Sequence, residues 1–257
     1  MNNLLSKTIQ AVVLSVAMIL FTSTVVADGH TAIERAVSNE ARPEADSQRD
    51  VDRKPGQVLE FFGIEPGMKV IDIFAGGGYY AEILSYVVGD GGEVTLYNNG
   101  GWDGFVGAGV EERLAGDRLP NVKSVVMEAN ELSGEADYYD AAVFVLGFHD
   151  LYYEEESWPA IDASDFVERL YGLIKPGGII GVVDHAAESG VSVDVANTLH
   201  RIDPGIIRSD LVSAGFEFVA ESDVLRNRGD DRRKPMSDPS VRGKTDRVVM
   251  KFRKPAS

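Results

Sequence analysis

Short apolar runs alternate along the chain with stretches of helical periodicity, and turn residues separate them. The stretch Asp46–Phe62 has a helical pattern in which Val51, Val58, Leu59 and Phe62 can share one face. Pro55 lies inside it and predicts a break near Lys54, because proline lacks the N–H and its ring clashes with the preceding turn. Gly63 stops this helix, and Pro66-Gly67 turns the chain into a first strand, Lys69–Phe74. A helix at Tyr79–Val88, a strand at Glu93–Tyr97, a short helix near Val110–Ala115 and a strand at Val122–Glu128 follow. Next come a strand at Ala141–Phe148, a helix at Ile161–Leu173, a turn at 175–178 and a strand at Ile179–Asp184. The last elements are a helix around Pro204–Ala214, a strand at Phe216–Ser222, a long polar loop and a strand at Arg247–Phe252. The first, fourth and fifth strand candidates are continuous apolar runs, as expected of parallel strands covered on both faces. Such alternation predicts a doubly wound α/β domain.

The N-terminal region departs from this pattern. Residues 1–27 carry one cation, Lys7, no acid, and an apolar run from Ala11 to Phe21. Val25-Val26-Ala27 then offers small residues at the −3 and −1 positions of a cleavage site before Asp28. This is the arrangement of a signal peptide, and its apolar core is short of the roughly 20 residues that span a bilayer. The expectation is export to the periplasm or beyond, with no stable membrane anchor after cleavage. A mobile polar lead-in over 28–45 and one domain over 46–257 would remain. The 257 residues include no Cys, which excludes a thiolate metal site, a cysteine nucleophile and a disulfide scaffold. A net charge of −16 argues against general nucleic-acid binding, which needs cations to displace counterions from phosphates. The expected partner is a small molecule.

Candidate chemistry begins at the first strand-to-helix turn. Val70-Ile71-Asp72-Ile73-Phe74 runs into Ala75-Gly76-Gly77-Gly78, and a helix starts at Tyr79. Glycines let the backbone approach a ligand closely, and a helix N-terminus offers free N–H groups. The spacing is not the G-x-G-x-x-G of dinucleotide enzymes. Asp72 is an acid inside an apolar strand, and a buried acid needs a partner such as the cationic amino group of a ligand.

These residues resemble the first motif of the class I S-adenosylmethionine-dependent methyltransferases, with Ile64-Glu65-Pro66-Gly67-Met68-Lys69 as its lead-in. Glu128-Ala129, Tyr139-Asp140-Ala141-Ala142-Val143 and Leu173-Ile174-Lys175-Pro176-Gly177-Gly178 resemble later motifs of that family, in the same order. The resemblance covers roughly residues 55–257 and is strongest to an exported branch of predicted methyltransferases. It implies a seven-stranded, mostly parallel sheet with an antiparallel last strand and an N-terminal helical lid. It also implies S-adenosylmethionine as cofactor, held by Asp72, Ala75, Gly76, Gly77 and Gly78, with Glu128 facing the adenine amino group. Where the family carries a ribose-binding acid after strand two, this chain has Tyr97-Asn98-Asn99, so Asn98 is expected to exchange one donor and one acceptor with the diol.

Ligands of open α/β sheets bind at the carboxyl ends of the strands. Of the four histidines, His149, His185 and His200 fall there and His30 lies in the lead-in. An acceptor that takes a methyl cation must lose a proton, and imidazole accepts one near neutrality. His149 is therefore the expected general base, with Asp150 or Asp184 orienting an imidazole or the acceptor and His185 as substitute. The same histidines could hold a divalent metal with Asp150 or Asp184, but no two have the short spacing of a helix-borne site, and no metal is assigned. Residues 226–257 hold 11 Lys/Arg against four Asp. Together with Arg49, Arg53, Lys54, His200 and Arg201, they are expected to frame a pocket for a small anionic acceptor. The expected function is methyl transfer to such an acceptor; the alternatives are a non-catalytic exported binding protein with the same fold and a nicotinamide-dependent oxidoreductase.

Overall fold

In the computed structural model, which describes residues 29–256, all seven expected strands form one sheet. They are β1 (Lys69–Ile73), β2 (Glu93–Asn98), β3 (Val122–Val126), β4 (Tyr139–Val145), β5 (Ile174–His185), β6 (Glu217–Ser222) and β7 (Arg247–Arg253). Their spatial order is β3-β2-β1-β4-β5-β7-β6, and β7 alone runs antiparallel, inserted between β5 and β6. Lys175–Gly178, expected as a turn before the fifth strand, instead bulges within it, between the pairings Tyr139–Ile174 and Ala141–Ile179.

Helices cover both faces: α1 (29–37), α2 (Glu44–Ser47), α3 (Asp50–Arg53), α4 (Pro55–Phe62), α5 (Tyr79–Val88), α6 (Gly100–Leu114), α7 (Ala163–Leu173), α8 (Val195–Leu199) and α9 (Pro204–Ser213). The pleat sends alternate residues of each strand to opposite sides. Ile71, Ile73, Ala142, Phe144, Ile180 and Val182 meet α7 and α9 on one side. Val70, Ala141, Val143 and Val183 meet α1, α4 and α5 on the other, the side that also carries Asp72. Val58, Leu59 and Phe62 of α4 are fully buried there, each contributing about 1.5–3 kcal/mol of apolar burial.

Three further expectations are corrected. The polar segment 28–45, expected as a mobile lead-in, is helical over 29–37, and its Ile33 and Ala36 pack into the core. The break at Lys54 forms, with that residue left-handed at φ 43°, but it rotates α3 out of phase with α4, so Val51 is 78% exposed instead of sharing the buried face. The short helix near Val110–Ala115 is the end of the 15-residue α6, whose glycine-rich first turns gave no helical signal. The signal-peptide expectation for 1–27 lies outside the described residues. Among the described residues no helix is long and apolar enough to cross a membrane.

Candidate active site

The β1–α5 turn builds a small pocket. Phe74 takes a left-handed conformation (φ 47°), as do Gly76 (55°) and Gly78 (81°). A Cβ on Gly78 would stand 2.9 Å from Leu96 Cδ1 and 3.0 Å from Arg113 Cδ, so glycine is needed there for both its backbone angle and its lack of bulk. Phe74 is held in its unfavourable conformation by ring contacts with Tyr97, Phe144, Trp158 and Phe166 at 5.6–5.8 Å. Ala75, Gly76 and Gly77 line a cavity of about 340 Å³, together with Asp72 and Arg113. Arg113 braces the loop by donating to the Gly77 carbonyl (2.6 Å) while paired with Asp46 and Glu82.

Asp72 is 2% exposed, takes one backbone hydrogen bond from Ala81, and leaves Oδ2 without a partner among the described residues. Burial pushes its pKa from 3.8 up to about 8. An unpartnered carboxylate oxygen on a pocket wall fits the ammonium group of an amino-acid moiety. By this test the residues suit the amino-acid end of S-adenosylmethionine.

Asn98, expected at the ribose, has its amide engaged by the backbone of the glycine loop. Its Oδ1 accepts from Gly76 N–H (2.9 Å) and its Nδ2 donates to Gly76 C=O (3.0 Å), so the amide clamps the glycine loop from behind and faces neither cavity. Asn99 caps α6 by accepting from Trp102 N–H. Glu128 is exposed beyond the end of β3, against the first residue of α6, and also lines neither cavity.

A larger cavity of about 1020 Å³ lies at the carboxyl ends of β4 and β5. It abuts the first, since Arg49, Arg53, Trp102 and Leu146 line both. Just past β4, Leu146 is left-handed (φ 58°) and a 3₁₀ turn over Phe148–Tyr152 presents His149 and Asp150. Asp184, fully buried at the end of β5, grips His149 twice, accepting from its backbone N–H (2.8 Å) and from ring Nδ1 (2.8 Å). The other ring nitrogen, Nε2, stands 3.2 Å from Asp150 Oδ1. The sequence left the orienting acid open between Asp150 and Asp184; Asp184 takes that place, and Asp150 faces the cavity.

Burial alone would lower the His149 pKa, but the Asp184 and Asp150 carboxylates outweigh it and push it up to about 9. Burial raises Asp150 to about 6 against the pull of His149. The two shifts favour an imidazolium–carboxylate pair, in which Asp150 offers the free proton site. Asp150 thereby stands beside His149, the expected general base, as a second candidate proton acceptor. His185, with Nδ1 2.6 Å from Thr245 Oγ1, is held well below its usual pKa by burial and by neighbouring His149 and Arg247.

Of the expected anion-binding residues, Arg49, Arg53 and His200 line the large cavity. Arg53 stacks on the Tyr79 ring at 4.7 Å and makes no ion pair among the described residues; burial and nearby Arg49 lower its pKa. Lys54 turns away and donates to the Val224 carbonyl (2.8 Å). Arg201 is fully buried and paired with Asp230 (2.7 Å), so it is structural and does not reach the cavity. The basic C-terminal stretch is divided: Arg226 and Arg232 pair with Asp246, while Arg242 and Arg247 reach the cavity. Arg247 is buried but, among the described residues, donates only to neutral oxygens, including Asp52 C=O at 2.9 Å. Sequence reading missed Trp102, because its helix was not recognised. It also missed Arg247 as a separate contributor, because nothing local distinguishes a free arginine from a paired one.

No family model matches the chain. The chain is 27% identical over 127 residues to the ubiquinone/menaquinone biosynthesis C-methyltransferase UbiE of Shewanella woodyi, covering 49% of this chain and 46% of that one. It thus spans about half the length of the curated relatives it matches. Among solved structures it resembles a SAM-dependent methyltransferase from Aquifex aeolicus, with TM-score 0.60 and 20% identity over 82% of this chain and 95% of that one. It also resembles the [4+2]-cyclase SpnF, with TM-score 0.59 and 18% identity over 90% and 94% of the two chains. The fold is that of the S-adenosylmethionine-dependent methyltransferases, and the cyclase's name is a reminder that one fold can carry different chemistries.

Proposed function

We propose that the chain transfers a methyl group from S-adenosylmethionine to a small anionic acceptor. The observation that carries this reading is the unpartnered Asp72 oxygen on the wall of a glycine-loop pocket that abuts a larger cavity. Similarity to methyltransferases in sequence and fold supports the same reading. Asp72 and the Ala75–Gly77 backbone would hold the amino-acid end of the cofactor. When bound, S-adenosylmethionine supplies a methyl group on a positively charged sulfur, and its loss leaves a neutral thioether.

The residues of the large cavity supply the rest. Arg53 and Arg247, without carboxylate partners, would bind the acceptor's anionic group, with Arg49 and Arg242 at its edge. Trp102, Phe105 and Trp158 offer apolar walls for the acceptor body. Asp150 would take the proton that the acceptor loses and become neutral, and His149, held by Asp184, would hold the Asp150 carboxylate in place before that transfer. Most of the rate enhancement would come from holding the acceptor atom in line with the methyl group. Export is part of this reading, supported by the charge and hydropathy pattern of 1–27. A binding protein that keeps the fold without turnover is the second reading, and the commitment of the Asn98 amide to Gly76 favours it.

Isothermal titration of the purified chain with S-adenosylmethionine, S-adenosylhomocysteine and NADH tests the proposal. Binding of the two adenosyl compounds alone supports it, and release of S-adenosylhomocysteine with a panel of small aromatic carboxylates and phosphates then separates turnover from binding. Silence towards the adenosyl compounds, or binding of NADH alone, would overturn it.

A further inference from the structure

We infer that His149, Asp150 and His200 form a site for one divalent transition-metal ion on the wall of the large cavity. Each residue places one ligand atom within 4.8 Å of the others, a span one ion can bridge. They come from the turn after β4 and from the end of α8, so the site exists only in the folded chain. His149 and Asp150 are almost fully buried, and all three line the cavity, which leaves open positions facing it.

The second layer is already built. A carboxylate that accepts from one ring nitrogen of a ligating histidine sets its tautomer and aims the other nitrogen at the metal. Asp184 does this to Nδ1 of His149 at 2.8 Å and secures the same residue through its backbone N–H. Nε2 is thereby turned towards Asp150 at 3.2 Å. His200 is held in place as well. It terminates the five-residue α8 in a left-handed conformation (φ 46°) that a side-chain-bearing residue rarely adopts. Its ring packs against Tyr153 (4.8 Å) and His149 (5.6 Å). Such a conformation at a cavity wall is a cost the fold retains, as at other functional positions.

Two imidazoles and one carboxylate suit zinc, cobalt, iron or manganese, whereas magnesium and calcium favour all-oxygen sites. Three protein ligands with open positions describe a site that can take an exogenous oxygen ligand and lower its pKa. Metal-loaded and metal-free protein would then be alternatives at one place. Without metal, Nε2 faces Asp150 at 3.2 Å; with metal, both would coordinate it, and an exogenous oxygen ligand could bind beside them. The inference rests on geometry alone and does not depend on the methyl-transfer reading.

The test is calorimetric titration of the chelator-treated chain with Zn²⁺, and a parallel Co²⁺ titration followed by visible absorption, without cofactor or acceptor. One equivalent is expected to bind, with Co²⁺ d–d bands showing nitrogen and oxygen ligands. His200→Ala, whose side chain is only half-buried, should retain the wild-type circular dichroism and lose binding by at least about 100-fold. Asp184→Asn should weaken it by about 10–100-fold through misorientation of His149. His30→Ala, at an exposed His–Glu cluster on α1, should leave binding unchanged. Absence of a stoichiometric site, or loss of binding in His30→Ala with retention in folded His200→Ala, would overturn the inference.

Discussion

Replacing Asp72 with Asn should strengthen the fold and weaken cofactor binding, two effects of opposite sign from one atom. In the folded protein burial raises this acid from 3.8 to about 8, so near pH 7 it takes up a proton that the unfolded chain leaves in water. A raised folded pKa contributes stability that is complete below 3.8 and is lost as pH rises through about 8. At pH 7 the acid therefore costs about 4 kcal/mol relative to its protonated reference. Asp72→Asn removes that cost, and burial of an incompletely paired amide returns about 1–3 kcal/mol of it. The net gain is about 1–3 kcal/mol, a rise of a few degrees in Tm for a domain of this size. The same change removes the ionic partner of the ligand's ammonium group, a charged hydrogen bond contributing about 1.5–3 kcal/mol, so Kd for S-adenosylmethionine should rise about 10- to 150-fold. Because the free carboxyl is protonated, wild-type binding near pH 7 should release a proton, making the measured enthalpy differ between phosphate and Tris buffers; the variant should lose this difference. Thermal unfolding by circular dichroism and titration calorimetry read all three effects. A destabilised Asp72→Asn that binds S-adenosylmethionine as tightly as wild type would refute the reasoning and make Asp72 a structural residue.

Other expectations follow from the same contacts. If Asp150 accepts the acceptor's proton, kcat/KM should rise with pH through about 6, and Asp150→Asn should abolish that limb in a steady-state pH profile. His149, raised from 6.5 to about 9, contributes stability that is complete below 6.5 and lost as pH rises through about 9; His149→Gln should flatten urea-unfolding stability across that interval. Gly181→Ala sets a Cβ 2.3 Å from Phe62 Cδ2 and should cost about 1–3 kcal/mol, with Phe62→Leu restoring part of it in the double variant. Arg201→Ala strands the buried Asp230 and should cost about 3–5 kcal/mol with KM of the folded enzyme unchanged, whereas Arg53→Gln should raise KM with little effect on Tm; the reverse pattern would restore Arg201 as a binding residue.

Much of the fold was legible because its signals are local. Apolar runs such as Val70–Phe74 and Ala141–Phe144, punctuated by Pro66-Gly67 and Gly76–Gly78, announce strands and turns within a few residues, and hydrophobic period needs no partner to be read. The α6 helix was illegible for the same local reason: Gly100, Gly101, Gly104, Gly107 and Gly109 suppress helical propensity, and packing against β2 and β3 overrides it. The site divides along the same line. Residue types and strand ends sufficed to single out Asp72, His149, His185 and His200, since topology alone brings strand carboxyl ends together. What each does was decided by tertiary contact. Asp184 reaches His149 across 35 residues, Asp230 neutralises Arg201 across 29, and Asp246 neutralises Arg226 and Arg232, while Arg53 and Arg247 form no ion pair among the described residues. The Asn98 amide, polar in any one-dimensional reading, is consumed by the backbone of Gly76. Charge and hydrogen-bonding capacity belong to the residue, but whether they remain available to a ligand depends on which partners the folded chain brings within about 3 Å, and that distance is set by the packing of the whole sheet and its helices.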